Sequence, residues 1–270
     1  MRRSGRRPSL LVTGGSGLLG SHLMRSPELA SWDVVAPPSR LLDVRDASAV
    51  DAQLRSWKPT AVAHLAYRRD DQRTIVQGSA NVARAAAAIG ARLVHLSTDL
   101  VFAGRAEPYT ELDEPEPIID YGRWKATAEE EVAAACPDAV VVRTSLIYAT
   151  DVVSSPQADV EAALSGRSSM RFFTDEVRCP VHAADLAAAV VLLAERREVS
   201  GPLHIAGPEA LSRADIAARL ARWMGLDPFR VPLASLAGSG LVRPGHLALD
   251  CARARDLGVA CRSMDDALAR

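Results

Sequence analysis

Five short apolar runs, each followed by a stretch of helical spacing, predict a doubly wound α/β fold with a parallel sheet. The runs are continuous rather than alternating, which marks strands buried on both faces. A glycine-rich turn follows the first run directly, where such folds bind nucleotides. Together these predict a Rossmann-like sheet with a smaller C-terminal lobe.

The first run is "SLLVT" (9–13), and "LLVTGGSGLLGSHL" carries it through a turn into a helix. The turn reads T-G-x-x-G-x-x-G, with Gly14, Gly17 and Gly20. Glycines there allow a tight turn and close approach of backbone to a pyrophosphate, which the helix N-terminus then attracts. Gly14, Ser16, Gly17, Leu18 and Leu19 are the expected cofactor loop. The second run, "WDVVA" (32–36), has no acidic residue directly after Ala36. A carboxylate there would bind a ribose 2′-hydroxyl and favour NAD. Ser39 and Arg40 stand nearby instead, which suits a 2′-phosphate. NADP(H) is therefore the expected cofactor, with NAD(H) the alternative. Asp43 and Val44 are placed to meet the adenine edge, and the third run, "AVAHLA" (61–66), brings Leu65, Ala66 and Tyr67 beside the cofactor.

The fourth run, "RLVHLS" (92–97), stops at Thr98 and Asp99 and then turns apolar again. Polar groups at the end of a buried strand are where function concentrates. The helical stretch that follows contains "YGRWK", whose Tyr121 and Lys125 are four apart and so share a helix face. A phenol of pKa about 10 is a poor acid–base catalyst at neutral pH. An ammonium one turn away, with a cationic nicotinamide, stabilises the phenolate. In this reading Thr98 holds a substrate carbonyl, Tyr121 exchanges a proton with it, and Lys125 also bonds the nicotinamide ribose. The fifth run is "AVVVRT" (139–144).

After Thr144 the rhythm changes. The chain divides into a basic flexible tail (1–8), an NADP-binding domain (9–150) and a substrate lobe (151–270) interleaved with the last part of the sheet. Within the lobe, Ser212 is the expected N-cap of a helix with Asp215 at its third position. His182 is read as a hydrogen-bonded residue at the start of a helix.

Bulk properties limit the alternatives. The 270 residues are 48% hydrophobic with a formal net charge of -1, which suits a globular protein and not a nucleic-acid surface. No apolar run reaches about 18 residues, so no membrane span is expected. The four cysteines are scattered without a C-x-x-C pair, which suits reduced thiols in a cytoplasm rather than disulfides or a metal site.

Taken together, "TGGSGLLG", "STDLVFAG", "YGRWKATAE", "RTSLIYA", "CPVHAADLA", "GPLHIAGPEALSRADIAARLA" and "RPGHLALD" resemble the extended short-chain dehydrogenases/reductases. Within them the chain resembles the dTDP-4-dehydrorhamnose reductase group. The resemblance implies NADPH-dependent reduction of a keto group on a nucleotide-activated deoxysugar, bound by the second lobe. It implies Arg178 and Arg243 as contacts to the sugar or diphosphate, and relatives suggest a homodimer; Asp99 either contacts substrate or holds its loop through backbone bonds as an Asx-turn residue does. Two departures stand out: Leu100 replaces a family tyrosine, and Ile75 lies where the superfamily often has an asparagine. An NAD-dependent sugar-nucleotide epimerase is the second enzymatic reading. A regulatory subunit that binds cofactor without catalysis, like that of methionine adenosyltransferase, is the reading from another class.

Overall fold

The computed structural model describes residues 7–269. The basic cluster at the start lies outside the described residues except for Arg7, whose guanidinium donates to the Ala30 carbonyl. The first half alternates strand and helix: β1 (Ser9–Thr13), α1 (Leu18–Met24), β2 (Asp33–Val35), α2 (Ala47–Trp57), β3 (Ala61–His64), α3 (Gly78–Ala88), β4 (Arg92–Thr98), α4 (Asp120–Ala135) and β5 (Val140–Thr144). The second half is more broken: β6 (Ile147–Tyr148), α5 (Ser155–Leu164), β7 (Phe172–Phe173), β8 (Val177–Arg178), β9 (Val181–His182), α6 (Ala183–Glu195), β10 (Gly201–His204), β11 (Leu211–Ser212), α7 (Arg213–Trp223), β12 (Leu233–Ala234), α8 (Ala252–Asp256) and α9 (Met264–Leu268).

Six strands form the central sheet in the order β10-β5-β4-β3-β1-β2. The pairs β1–β2, β1–β3 and β3–β4 are parallel, with Leu10 opposite both Val34 and Ala61. The sixth strand comes from "GPLH", far along the chain, so the C-terminal half does return to the sheet. The third strand is shorter than its apolar run: it ends at His64, the Leu65 N–H makes a last bond to the Thr13 carbonyl, and the Ala66 N–H turns to the Thr13 hydroxyl.

Two compact units divide the chain, and neither is a continuous segment. One comprises residues 7–97, 124–142 and 187–203; the other comprises 98–123, 143–186 and 204–269. The first unit holds a core of Leu11, Val50, Leu54, Val62, Val82, Leu93, Val132 and Val141. Burying each such side chain contributes about 1.5–3 kcal/mol. Arg92, buried at the start of β4, donates to the carbonyls of Leu193, Asp138 and Val199 and so ties down backbone that no ladder reaches. The second unit packs Tyr148, Val160, Phe172, Ile216, Leu220 and Met264. There Ser212 does cap α7, accepting the Asp215 N–H at 3.0 Å.

Candidate active site

The strand order reverses between β1 and β3, and in open α/β sheets ligands bind outside the strand ends at such a point. Gly14, just after β1, has φ +75°, a left-handed conformation that side chains rarely adopt. A Cβ on Gly14 would lie 2.7 Å from the backbone nitrogen of Ala66, and one on Gly20 would lie 2.2 Å from the Gly14 carbonyl oxygen. Glycine is therefore what lets the turn, the end of β3 and the start of α1 close on one another. Gly17 caps α1 without a side chain, so nothing competes for the first-turn N–H groups. Ser16 and Gly17 are exposed, Leu18 is half-buried and Leu19 is buried. This cradle fits a dinucleotide pyrophosphate.

Arg40 is exposed on the turn after β2, and no ion pair engages it among the described residues. Asp43 is committed locally: its carboxylate takes three guanidinium bonds and the backbone N–H of Arg45, which hold its pKa down to about 2. Val44 is buried, and its carbonyl accepts the Asn81 amide at 3.0 Å. Asn81 is a residue that sequence reading missed.

Tyr121 and Lys125 stand one turn apart on α4, Tyr121 half-buried and Lys125 buried. The Lys125 ammonium donates to the Leu96 carbonyl of β4 at 2.8 Å and lies 5.8 Å from the centre of the Tyr67 ring. Burial lowers its pKa from 10.5 to about 8, while the Glu129 carboxylate opposes the shift. Two buried histidines, His64 and His95, stack with ring centres 5.4 Å apart. Burial first, and the Lys125 charge second, hold His64 down to about 3 and His95 well below the usual range. Both rings are therefore neutral, and Thr13 and Ser79 fix His64 at its two nitrogens. At Ile75, in a π-helical turn, the side chain is fully buried and the carbonyl accepts the Ser79 hydroxyl.

Thr98 ends β4 and is buried. Its hydroxyl accepts the Leu100 N–H at 3.2 Å and donates to Asp99 at 3.2 Å. Gly122, beside Tyr121, closes on the same loop: a Cβ there would lie 2.1 Å from the Leu100 carbonyl oxygen. Asp99 and Arg178, both candidate substrate contacts, are turned onto each other. Asp99 is fully buried, Arg178 nearly so, and the guanidinium spans both carboxylate oxygens. The Ser145 hydroxyl adds a bond to Asp99 at 2.6 Å. Their charges are spent internally, because a buried carboxylate needs a partner more than it needs a ligand. Arg243, half-exposed, pairs with the buried Glu176 at 3.0 Å. A separate cavity of about 570 Å³ in the second unit is lined by Pro108, Ile205, Leu249, Cys251, Val259 and Cys261, and holds none of the expected site residues.

A parallel nucleotide-binding sheet, its glycine cradle and the Tyr121–Lys125 helix define an NAD(P)-dependent oxidoreductase of the extended short-chain type. Residues 8–270 match the model of the RmlD substrate binding domain, and the chain belongs to that family. It is 32% identical over 242 residues to the dTDP-4-dehydrorhamnose reductase of Mycobacterium tuberculosis, covering 84% of this chain and 79% of the relative. It is 29% identical over 280 residues to the methionine adenosyltransferase 2 subunit beta of Rattus norvegicus, covering 94% of this chain and 84% of that one. The dTDP-4-dehydrorhamnose reductase of Bacillus anthracis, solved in complex with NADP, shares the fold with a TM-score of 0.87 at 24% identity, covering 97% of this chain and 98% of that chain.

Two arginines provide a test of the placement. Arg178→Leu leaves Asp99 unpaired in the interior and is expected to cost about 3–5 kcal/mol. Arg55→Leu, by contrast, breaks an exposed helical pair with Asp51 and is expected to cost only a small fraction of that. Urea denaturation of both variants measures this, and equal losses would contradict the burial of the Asp99–Arg178 pair.

Proposed function

We propose that the chain is an NADPH-dependent reductase of a keto group on a nucleotide-activated sugar, most directly a 4-keto-6-deoxy sugar nucleotide. One observation carries the reading. Tyr121 lies one helical turn ahead of a lysine that is buried and fastened to the very strand that ends in Thr98. The M. tuberculosis relative, a dTDP-4-dehydrorhamnose reductase at 32% identity, supports the substrate class.

NADPH, when bound, supplies the hydride. The cradle at Gly14, Ser16, Gly17, Leu18 and Leu19 would hold the pyrophosphate, and Arg40 would take the 2′-phosphate. Asp43 and Val44 would border the adenine, and Leu65, Ala66 and Tyr67 would flank the cofactor. Thr98 turns its proton from Asp99 to the substrate oxygen. That bond is readily surrendered, because at 3.2 Å it is longer than the Arg178 and Ser145 bonds that already satisfy Asp99. Tyr121 delivers its phenolic proton to the oxygen as the carbon is reduced. The Lys125 cation stabilises the tyrosinate left behind. Arg243 contacts the sugar nucleotide, and Asp99 and Arg178 act by holding Thr98. We place the protein in the cytoplasm as a homodimer; the four unpaired cysteines support a reducing compartment. Among the described residues no helix is long and apolar enough to cross a membrane.

The similarity to the rat subunit, over 94% of this chain, favours one second reading: a cofactor-binding subunit without turnover.

Two measurements test the proposal. NADPH oxidation is followed with dTDP-4-dehydrorhamnose as substrate. Tyr121→Phe is expected to lower turnover by about 10²–10⁴-fold. Because Lys125 is cationic below its pKa of about 8, kcat/KM is expected to hold below that pH and fall above it. No oxidation of NADPH by the native protein would turn the assignment to the non-catalytic subunit. Separately, fluorescence titration is expected to show NADPH bound more tightly than NADH, with the preference lost in Arg40→Ala. Equal binding of the two by the native protein would remove the 2′-phosphate argument.

A further inference from the structure

The face of α4 that carries Tyr121 and Lys125 carries a third polar residue, Glu129, one turn further on. It is the first of three successive acids, and their fates differ. Glu130 is exposed, and Glu131, at a half-exposed site, pairs with Arg84 at 3.1 Å. Glu129 is 6% exposed. A glutamate is almost never buried without a partner. The Ser97 hydroxyl donates to Glu129, and Ser97 is the residue next to Leu96, whose carbonyl accepts from Lys125. Strand β4 thus grips α4 through two successive residues, one holding the ammonium and the other the carboxylate.

Among the described residues, Glu129 is the acid whose charge acts on Lys125. From β3 and β4 the neutral rings of His64 and His95 face it, the Tyr67 ring lies 5.8 Å away in the segment after β3, and Tyr121 precedes it on its own helix. Burial alone works against the lysine cation, and Glu129 is the group that opposes that loss.

We propose that Glu129, fastened to β4 by Ser97, is the internal counter-ion and positioning residue of Lys125, holding the ammonium on the Leu96 carbonyl in register with Tyr121. The inference rests on the proposed reaction only for its consequence in turnover; the pairing itself is independent of it.

The chain has two lysines, Lys58 and Lys125, which makes a direct test possible. Protein labelled with ¹³C at lysine Cε gives two side-chain resonances, and Lys58→Arg assigns them. In cofactor-free protein, Glu129→Gln is expected to lower the Lys125 titration midpoint by about one unit. Ser97→Ala is expected to move it the same way by less, and Glu129→Asp to restore it in part. The alkaline fall in NADPH turnover should move to lower pH with the resonance. A Lys125 midpoint that stays put in both Glu129→Gln and Ser97→Ala, in protein shown to be folded by its circular dichroism melt, overturns the proposal. If the midpoint moves but the native protein oxidises no NADPH, the counter-ion role stands and the reductase reading falls.

Discussion

An ammonium taken out of water constrains the structure around it. Lys125 is buried, and a buried charge persists only where hydrogen bonds and an opposite charge replace its hydration. The Leu96 carbonyl supplies the bond and Glu129 the charge. These contacts fix the rotation and register of α4 on β4. Once that register is fixed, Tyr121 falls one turn ahead of the cation, and Thr98 falls two residues beyond the carbonyl that binds it. The neutral His64–His95 stack fits the same logic, since a second positive charge beside Lys125 would be repelled as well as desolvated.

An internal ion pair fixes the segment directly after β4. Asp99 with Arg178 and Ser145 forms a fully satisfied knot directly after Thr98. Such a pair adds little net stability compared with apolar packing, but breaking it is costly, so it holds one geometry firmly. That firmness holds in place the carboxylate to which the Thr98 hydroxyl is bonded. The glycines act in the same spirit on the backbone. Gly14, Gly20 and Gly122 each occupy a place where a Cβ would collide with main-chain atoms.

Much of this was legible in the sequence, because it depends on local spacing. Continuous apolar runs gave the parallel strands, T-G-x-x-G-x-x-G gave the turn after β1, and four-residue spacing put Tyr121 and Lys125 on one face. What was not legible depends on distance along the chain. Arg178 is 79 residues from Asp99, and no local pattern distinguishes a buried arginine from a surface one in an arginine-rich chain. The sixth strand at 201–204 is short and follows a long helix, so its apolar content alone did not assign it to the sheet. Glu129 was hidden in a run of three acids that reads as a solvated surface. The signal that finds it is its place four residues beyond Lys125, which itself lies four beyond Tyr121.

The measurement that bears most directly on this account is the fate of a labelled hydride. The protein is incubated with NADPH deuterated at the transferable C4 position and with dTDP-4-dehydrorhamnose, and the sugar nucleotide is analysed by mass spectrometry and NMR. The account predicts deuterium on the former carbonyl carbon, with one NADPH consumed for each sugar reduced. A sugar that returns unlabelled while NADPH remains intact would contradict it.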